Sequence, residues 1–93
     1  MASSSTVVLE HDSGFEHILS SIDRLVRSGV HPDRISVSQY PASHWACSPR
    51  WAHYDGPDEA AVAQRVDAQM ALLGLLLEHG ADHALLFHGS FGF

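Results

Sequence analysis

Residues 35–54 read Ile35-Ser36-Val37-Ser38-Gln39-Tyr40-Pro41-Ala42-Ser43-His44-Trp45-Ala46-Cys47-Ser48-Pro49-Arg50-Trp51-Ala52-His53-Tyr54. How this stretch is divided decides the fold. Its first six residues alternate apolar and polar, the period of a half-buried strand, and Pro41 ends the alternation. Residues 41–49 are rich in Pro, Ser and His and read as a loop. Residues 50–54 carry Trp51 and Tyr54 and read as a further strand. So divided, the stretch is two strands joined by a long connection.

Upstream, residues 6–11 combine β-branched residues with partial alternation and read as a strand. Asp12-Ser13-Gly14 breaks it. Ser13 and Glu16 have the spacing of a capping box, so a helix is predicted over 13–28. Phe15, Ile18, Leu19, Ile22, Leu25 and Val26 form its apolar stripe, Gly29 ends it and Pro32 prevents a restart.

Downstream, Asp55-Gly56-Pro57-Asp58-Glu59 opens a second helix, predicted over 57–79: a cap candidate, a proline near the first turn, then acids facing the dipole. Val62, Val66, Met70, Leu73 and Leu77 are the expected core stripe. The last turns are apolar nearly all round, which implies burial on more than one side. Gly80 ends this helix, and residues 83–88 read as a last strand. The order β-α-β-β-α-β implies an α+β, ferredoxin-like two-layer sandwich, with a four-stranded antiparallel sheet and two helices on one face. The whole of residues 1–93 reads as a single domain, with 1–5 and 89–93 as loose tails. Fold alone assigns no activity.

Composition narrows the function classes. Five Arg and no Lys stand against eleven acids, a net charge of −6. That argues against a nucleic-acid-binding surface and suits a basic protein partner, or serves only solubility. Eight His add a charge reserve that titrates in mild acid. One Cys allows no internal disulfide. The start of the chain lacks a signal-peptide pattern, and the run 71–77, interrupted by Gly74, is too short to span a bilayer. A soluble, cytoplasmic protein without direct nucleic-acid or membrane contact is expected.

Every Trp and Tyr lies within residues 40–54. Such rings dominate recognition surfaces, so Tyr40, His44, Trp45 and Trp51 are the expected partner-binding residues, with Trp45 as anchor. Asp55, Asp58 and Glu59 are expected at the opposite edge, as helix caps. On the ferredoxin-like topology His11, His17, His44, Cys47, His79 and His83 fall at one end, and His44, Cys47, His79 and His83 are the zinc candidates among them. Their spacings could chelate Zn²⁺, although structural zinc sites usually hold two or more Cys. Cys47 with His44 or His53 could be a nucleophile–base pair, but no oxyanion or relay signature accompanies it, and no cofactor is otherwise implied.

The reading that follows is a small acidic, non-enzymatic protein-interaction module, with a homodimer expected from its surplus of apolar surface. The profile is also that of phage or mobile-element inhibitors of host nucleic-acid-binding complexes, such as anti-CRISPR proteins; no particular residue carries that association. The alternatives are a small metal- or ligand-binding protein using the His-rich edge, or a dimeric ferredoxin-like enzyme.

Overall fold

The structure, a computed structural model, describes residues 6–84. Strand β1 (Val7–Leu9) is followed by a 3₁₀ turn and by helix α1 (Phe15–Arg27). Strand β2 (Ile35–Val37) then lies parallel to β1, with Val7 opposite Ile35 and Leu9 opposite Val37. Strand β3 (Tyr40–Pro41) folds back antiparallel, with Val37 opposite Tyr40. Helix α2 (Ala42–Cys47), a 3₁₀ segment (Pro49–His53) and helix α3 (Glu59–Glu78) complete the described chain.

The ferredoxin-like expectation is therefore overturned. Among the described residues the sheet is mixed and three-stranded, in the order β1-β2-β3, and three α-helices accompany it. The unit is a parallel β-α-β crossover extended by a two-residue hairpin. The division of residues 35–54 caused the error. Residues 41–49 are not a loop: Ala42, Trp45 and Ala46 are all buried, at the i, i+3, i+4 spacing of a helical stripe. Pro41 ends the strand and also stands at the N-cap of α2, where its missing N–H costs nothing. Residues 50–54 are not a strand either. Pro49 presets the first turn of a 3₁₀ segment whose Ala52 is buried. Of the strand expected over 83–88, His83 and Ala84 sit in a helical turn. Residues 85–88 lie outside the described residues, as do the tails 1–5 and 89–93.

Helix α1 follows its predicted stripe, burying Phe15, Ile18, Ile22 and Val26. Its start differs. The N-cap is Gly14, with φ 107° and no side-chain cap, so Ser13 and Glu16 do not form the capping box. That backbone turn is open only to glycine, and it sets the helix two residues later than predicted.

Helix α3 begins as expected, with the Asp58 carboxylate accepting the Ala61 N–H at 2.8 Å. It ends at Gly80 in a Schellman motif: Ala81 N–H donates to Leu76 C=O at 3.0 Å and Gly80 N–H to Leu77 C=O at 3.2 Å. Its core stripe, however, is not the predicted one. The buried residues are Gln69, Leu72 and Leu76. Val66 and Met70 lie roughly a quarter-turn or more away on the same cylinder, and Met70 is 60% exposed, while half-buried Leu73 and Leu77 pack against the core from its flank and half-buried Val62 shares the face of Gln69. A polar residue holds the centre of the buried stripe for a reason. The Gln69 amide donates to the carbonyls of Trp45 at 2.8 Å and Ser48 at 3.0 Å, satisfying the open end of α2. Arg65, one turn earlier, donates to Ala52 C=O and Tyr54 C=O and lies over the Phe15 ring at 5.0 Å. By length and composition alone α3 could also cross a membrane.

The core joins α1, β2, α2 and α3. Ile35 and Val37 of β2 are fully buried, and Phe15 meets Trp45 at 5.2 Å between ring centres.

Candidate functional site: an aromatic edge

In a parallel β-α-β unit, residues just past the carboxyl ends of the strands stand on the edge that most often receives ligands. Here those residues are His11, after β1, and Ser38, after β2. Ser38 occupies the first position of the two-residue turn closing the β2–β3 hairpin, with φ 53°. A positive φ is what such turns require, and it is costly for a residue with a Cβ. Two contacts hold it. The His11 backbone N–H donates to Ser38 Oγ at 3.2 Å, and Ser38 Oγ lies 2.8 Å from His11 Nδ1. A neutral His11 with its proton on Nε2 accepts the serine hydroxyl there. The strand ends are thus clipped together.

Around this clip the chain assembles rings. His11 lies 5.9 Å from Trp51 and 5.8 Å from Tyr54 between ring centres. Tyr40 meets Trp51 edge-on at 5.9 Å, and His44 stacks on Tyr40 at 5.2 Å. The Arg50 guanidinium sits 5.5 Å above the Trp51 ring. Short elements bring these groups together: the hairpin supplies Tyr40, α2 supplies His44 and the 3₁₀ segment supplies Trp51. Tyr54 is 41% exposed, and His11, Tyr40 and Trp51 are half-buried. The Trp51 indole N–H is shielded from solvent and has no acceptor among the described residues. A shielded indole N–H usually finds one. Exposed Glu10 and Asp12 flank His11, and exposed Asp55 follows Tyr54. Asp55 is therefore beside the cluster, not at the opposite edge as expected.

The expected partner-binding residues separate accordingly. Tyr40, His44 and Trp51 come together, with His44 itself buried beneath Tyr40, but Trp45 does not join them. It is 1% exposed, on the inner side of α2 against Phe15, and cannot be a surface anchor in this structure. His11 and Tyr54 join them although neither is among the expected partner-binding residues: His11 is expected only in the His-rich end, and Tyr54 only as part of the aromatic stretch. His11 lies just past β1, 29 positions from Tyr40, and only the parallel pairing of β1 with β2 brings them near.

The zinc candidates are not assembled. Among the described residues no group of three or more His, Cys, Asp or Glu side chains is placed to hold a metal ion. His44 stacks on Tyr40, while Cys47 lines a groove against α3. His79 caps the far end of α3, ten residues beyond Gln69, a rise of ~15 Å. The Cys47 thiol donates to His44 C=O at 3.4 Å, and burial pushes its pKa up, opposed by a backbone hydrogen bond. That shift favours an inert thiol over a nucleophile. Ser38 and His11 have the separation of a nucleophile and its base. The cleft against His11, which Ser38 does not line, measures about 10 Å³, room for roughly one water. The chemistry this edge offers is recognition: flat ring faces with exposed carboxylate residues beside them in the chain.

No family model matches the chain, and neither does any curated protein or solved structure.

Proposed function

We propose that the protein is a non-enzymatic interaction module that docks a basic protein surface on its aromatic edge. One observation carries this reading: His11, Tyr40, Trp51 and Tyr54 gather at the carboxyl ends of the parallel strands, partly exposed and flanked by Glu10, Asp12 and Asp55. Aromatic faces next to carboxylates suit the guanidinium and ammonium groups of a partner. Within the chain, Arg50 over Trp51 and Arg65 over Phe15 are contacts of this chemical kind. The net charge of −6 works in the same direction, drawing basic partners by long-range attraction. Nucleic-acid-binding complexes present such surfaces, and occluding one is how a phage-borne inhibitor would act.

The test uses Tyr54→Ser, because Tyr54 is the most exposed ring and its loss spares the core. Capture of a basic partner, or of an arginine-rich peptide, should weaken by roughly tenfold, the effect of ~1.4 kcal/mol. Folding should be unchanged. Asp55→Asn should slow association and flatten its salt dependence. Binding that is indifferent to Tyr54, Trp51 and ionic strength would refute the proposal.

A further inference from the structure

His11 meets two rings of the aromatic edge, Trp51 at 5.9 Å and Tyr54 at 5.8 Å between ring centres. Both distances fall within the ~6 Å over which a cation is drawn to an aromatic ring. Imidazole is the side chain that gains its charge in mild acid. His11 is thus either a further neutral ring or a cation set against two rings. Ser38 accommodates both states. With His11 neutral, the Ser38 hydroxyl donates to Nδ1; with His11 protonated, Nδ1–H donates to Ser38 Oγ across the same 2.8 Å. The clip is kept, so the change is one of charge and leaves the hairpin in place.

No ion pair fixes that charge in advance. Glu10 and Asp12 flank His11 in the chain, yet among the described residues His11 pairs with no carboxylate. From α1, Phe15 and Ile18 line the small cleft against it and carry no charge, with exposed Glu16 and His17 next to Phe15 in the chain. The 3₁₀ segment and the residues after it bring Arg50, 5.5 Å above Trp51, then exposed His53, Tyr54 and Asp55. Helix α3 brings Arg65, which donates to Tyr54 C=O at 3.1 Å. Tyr40 and buried His44 lie beyond Trp51. Arg50 and Arg65 are the cations this edge always holds, and His11 is the one that acid adds against Trp51 and Tyr54.

We propose that protonation of His11 switches the aromatic edge off, so that a basic partner docks at neutral pH and is released in mild acid. This rests on the reading of that edge as the docking surface. Once His11 is charged, the attraction of Trp51 and Tyr54 for a cation is taken up from within the chain. An incoming guanidinium then meets a like charge beside its seat. Docking therefore favours the neutral imidazole: affinity is full where His11 is neutral and falls as pH drops through its titration. Reciprocity requires the converse, that a bound partner holds His11 neutral to lower pH.

An arginine-rich peptide titrated into the full chain at pH ~7.5 and ~5.5, at one ionic strength, tests this. Arginine and ordinary carboxylates keep their charge across that window. Wild-type affinity should fall at least ~tenfold at the lower pH. The ratio of the two affinities should collapse toward one in His11→Gln, whose amide is uncharged at both, and persist in His53→Gln, on the same 3₁₀ segment. The wild-type chain gives a second readout that needs no variant. Saturating peptide should move the titration of the His11 ring, followed by proton NMR, about one pH unit lower for a tenfold coupling, and move that of His53 less. Equal wild-type affinity at the two pH values overturns the proposal, as does a ratio unchanged in His11→Gln or a His11 titration that the peptide leaves in place. Absence of binding at pH ~7.5 is a different result: it refutes the aromatic edge as the docking surface, and the switch with it.

Discussion

Trp45→Ala separates a surface tryptophan from a core one. Trp45 is 1% exposed, packs on Phe15 and lies on the inner side of α2. Deleting a buried Trp side chain removes its transfer energy and leaves a cavity, a cost of ~3–5 kcal/mol. At ~0.05–0.15 kcal/mol per residue, a chain of 93 residues has a total stability of about 5–14 kcal/mol. The substitution therefore takes about a fifth of it at the least. With an unfolding entropy near ~2.1 cal/mol/K per residue, or about 0.2 kcal/mol/K for the chain, a loss of ~4 kcal/mol lowers Tm by roughly 20 °C. The assay is a thermal melt followed by far-ultraviolet circular dichroism, with urea unfolding at 25 °C as a second measure. The near-ultraviolet spectrum should also lose its Trp45 contribution. A fall in Tm below about 5 °C, with partner binding lost, would mean that Trp45 stands on the surface and that α2 does not turn it inward.

Three further outcomes follow from the same contacts. Gln69→Leu strips the side-chain donor from the carbonyls of Trp45 and Ser48 and should cost ~2–3 kcal/mol, read as a lower urea midpoint at unchanged slope. Cys47 should react with a maleimide more slowly than a free cysteine at the same pH, because burial raises its pKa. The folded chain holds that proton more tightly than the unfolded one, so this contribution to stability is complete below the ordinary thiol range and is lost as pH rises through the folded value. Because His44, Cys47, His79 and His83 form no ligand group among the described residues, His79→Ala should leave the response of Tm to Zn²⁺ or a chelator unchanged.

What could be read in the sequence was whatever local periodicity encodes. The α1 stripe at Phe15, Ile18, Ile22 and Val26, the buried pair Ile35 and Val37, and the Asp58 cap are all visible in spacing alone. Residues 41–54 misled because a six-residue helix and a 3₁₀ segment are too short to show a period, and two prolines flank them as they would flank a loop. The signal was Ala42, Trp45 and Ala46, but two of these are alanines, which carry little hydrophobic weight. The register of α3 misled for another reason. Apolar residues surround that helix, and its buried stripe is centred on Gln69, a polar residue retained for its hydrogen bonds. The aromatic edge was half legible. Tyr40, His44 and Trp51 stand in one stretch, whereas His11 joins them only through the parallel pairing of β1 with β2. Paired residues of those strands, such as Val7 and Ile35, are 28 positions apart (35 − 7), and no local pattern links positions at that distance.

The central claim is that the aromatic edge is the docking surface, and the two tryptophans test it most directly. Their indole N–H resonances report separately on the core and on the edge, since Trp45 is buried and Trp51 belongs to the cluster. An arginine-rich peptide is titrated into the ¹⁵N-labelled chain at low salt. The account predicts that the Trp51 indole resonance shifts and saturates, that the Trp45 resonance stays in place, and that Tyr54→Ser weakens the titration roughly tenfold. A Trp51 resonance that stays fixed at millimolar peptide, or that moves no more than Trp45, would contradict it.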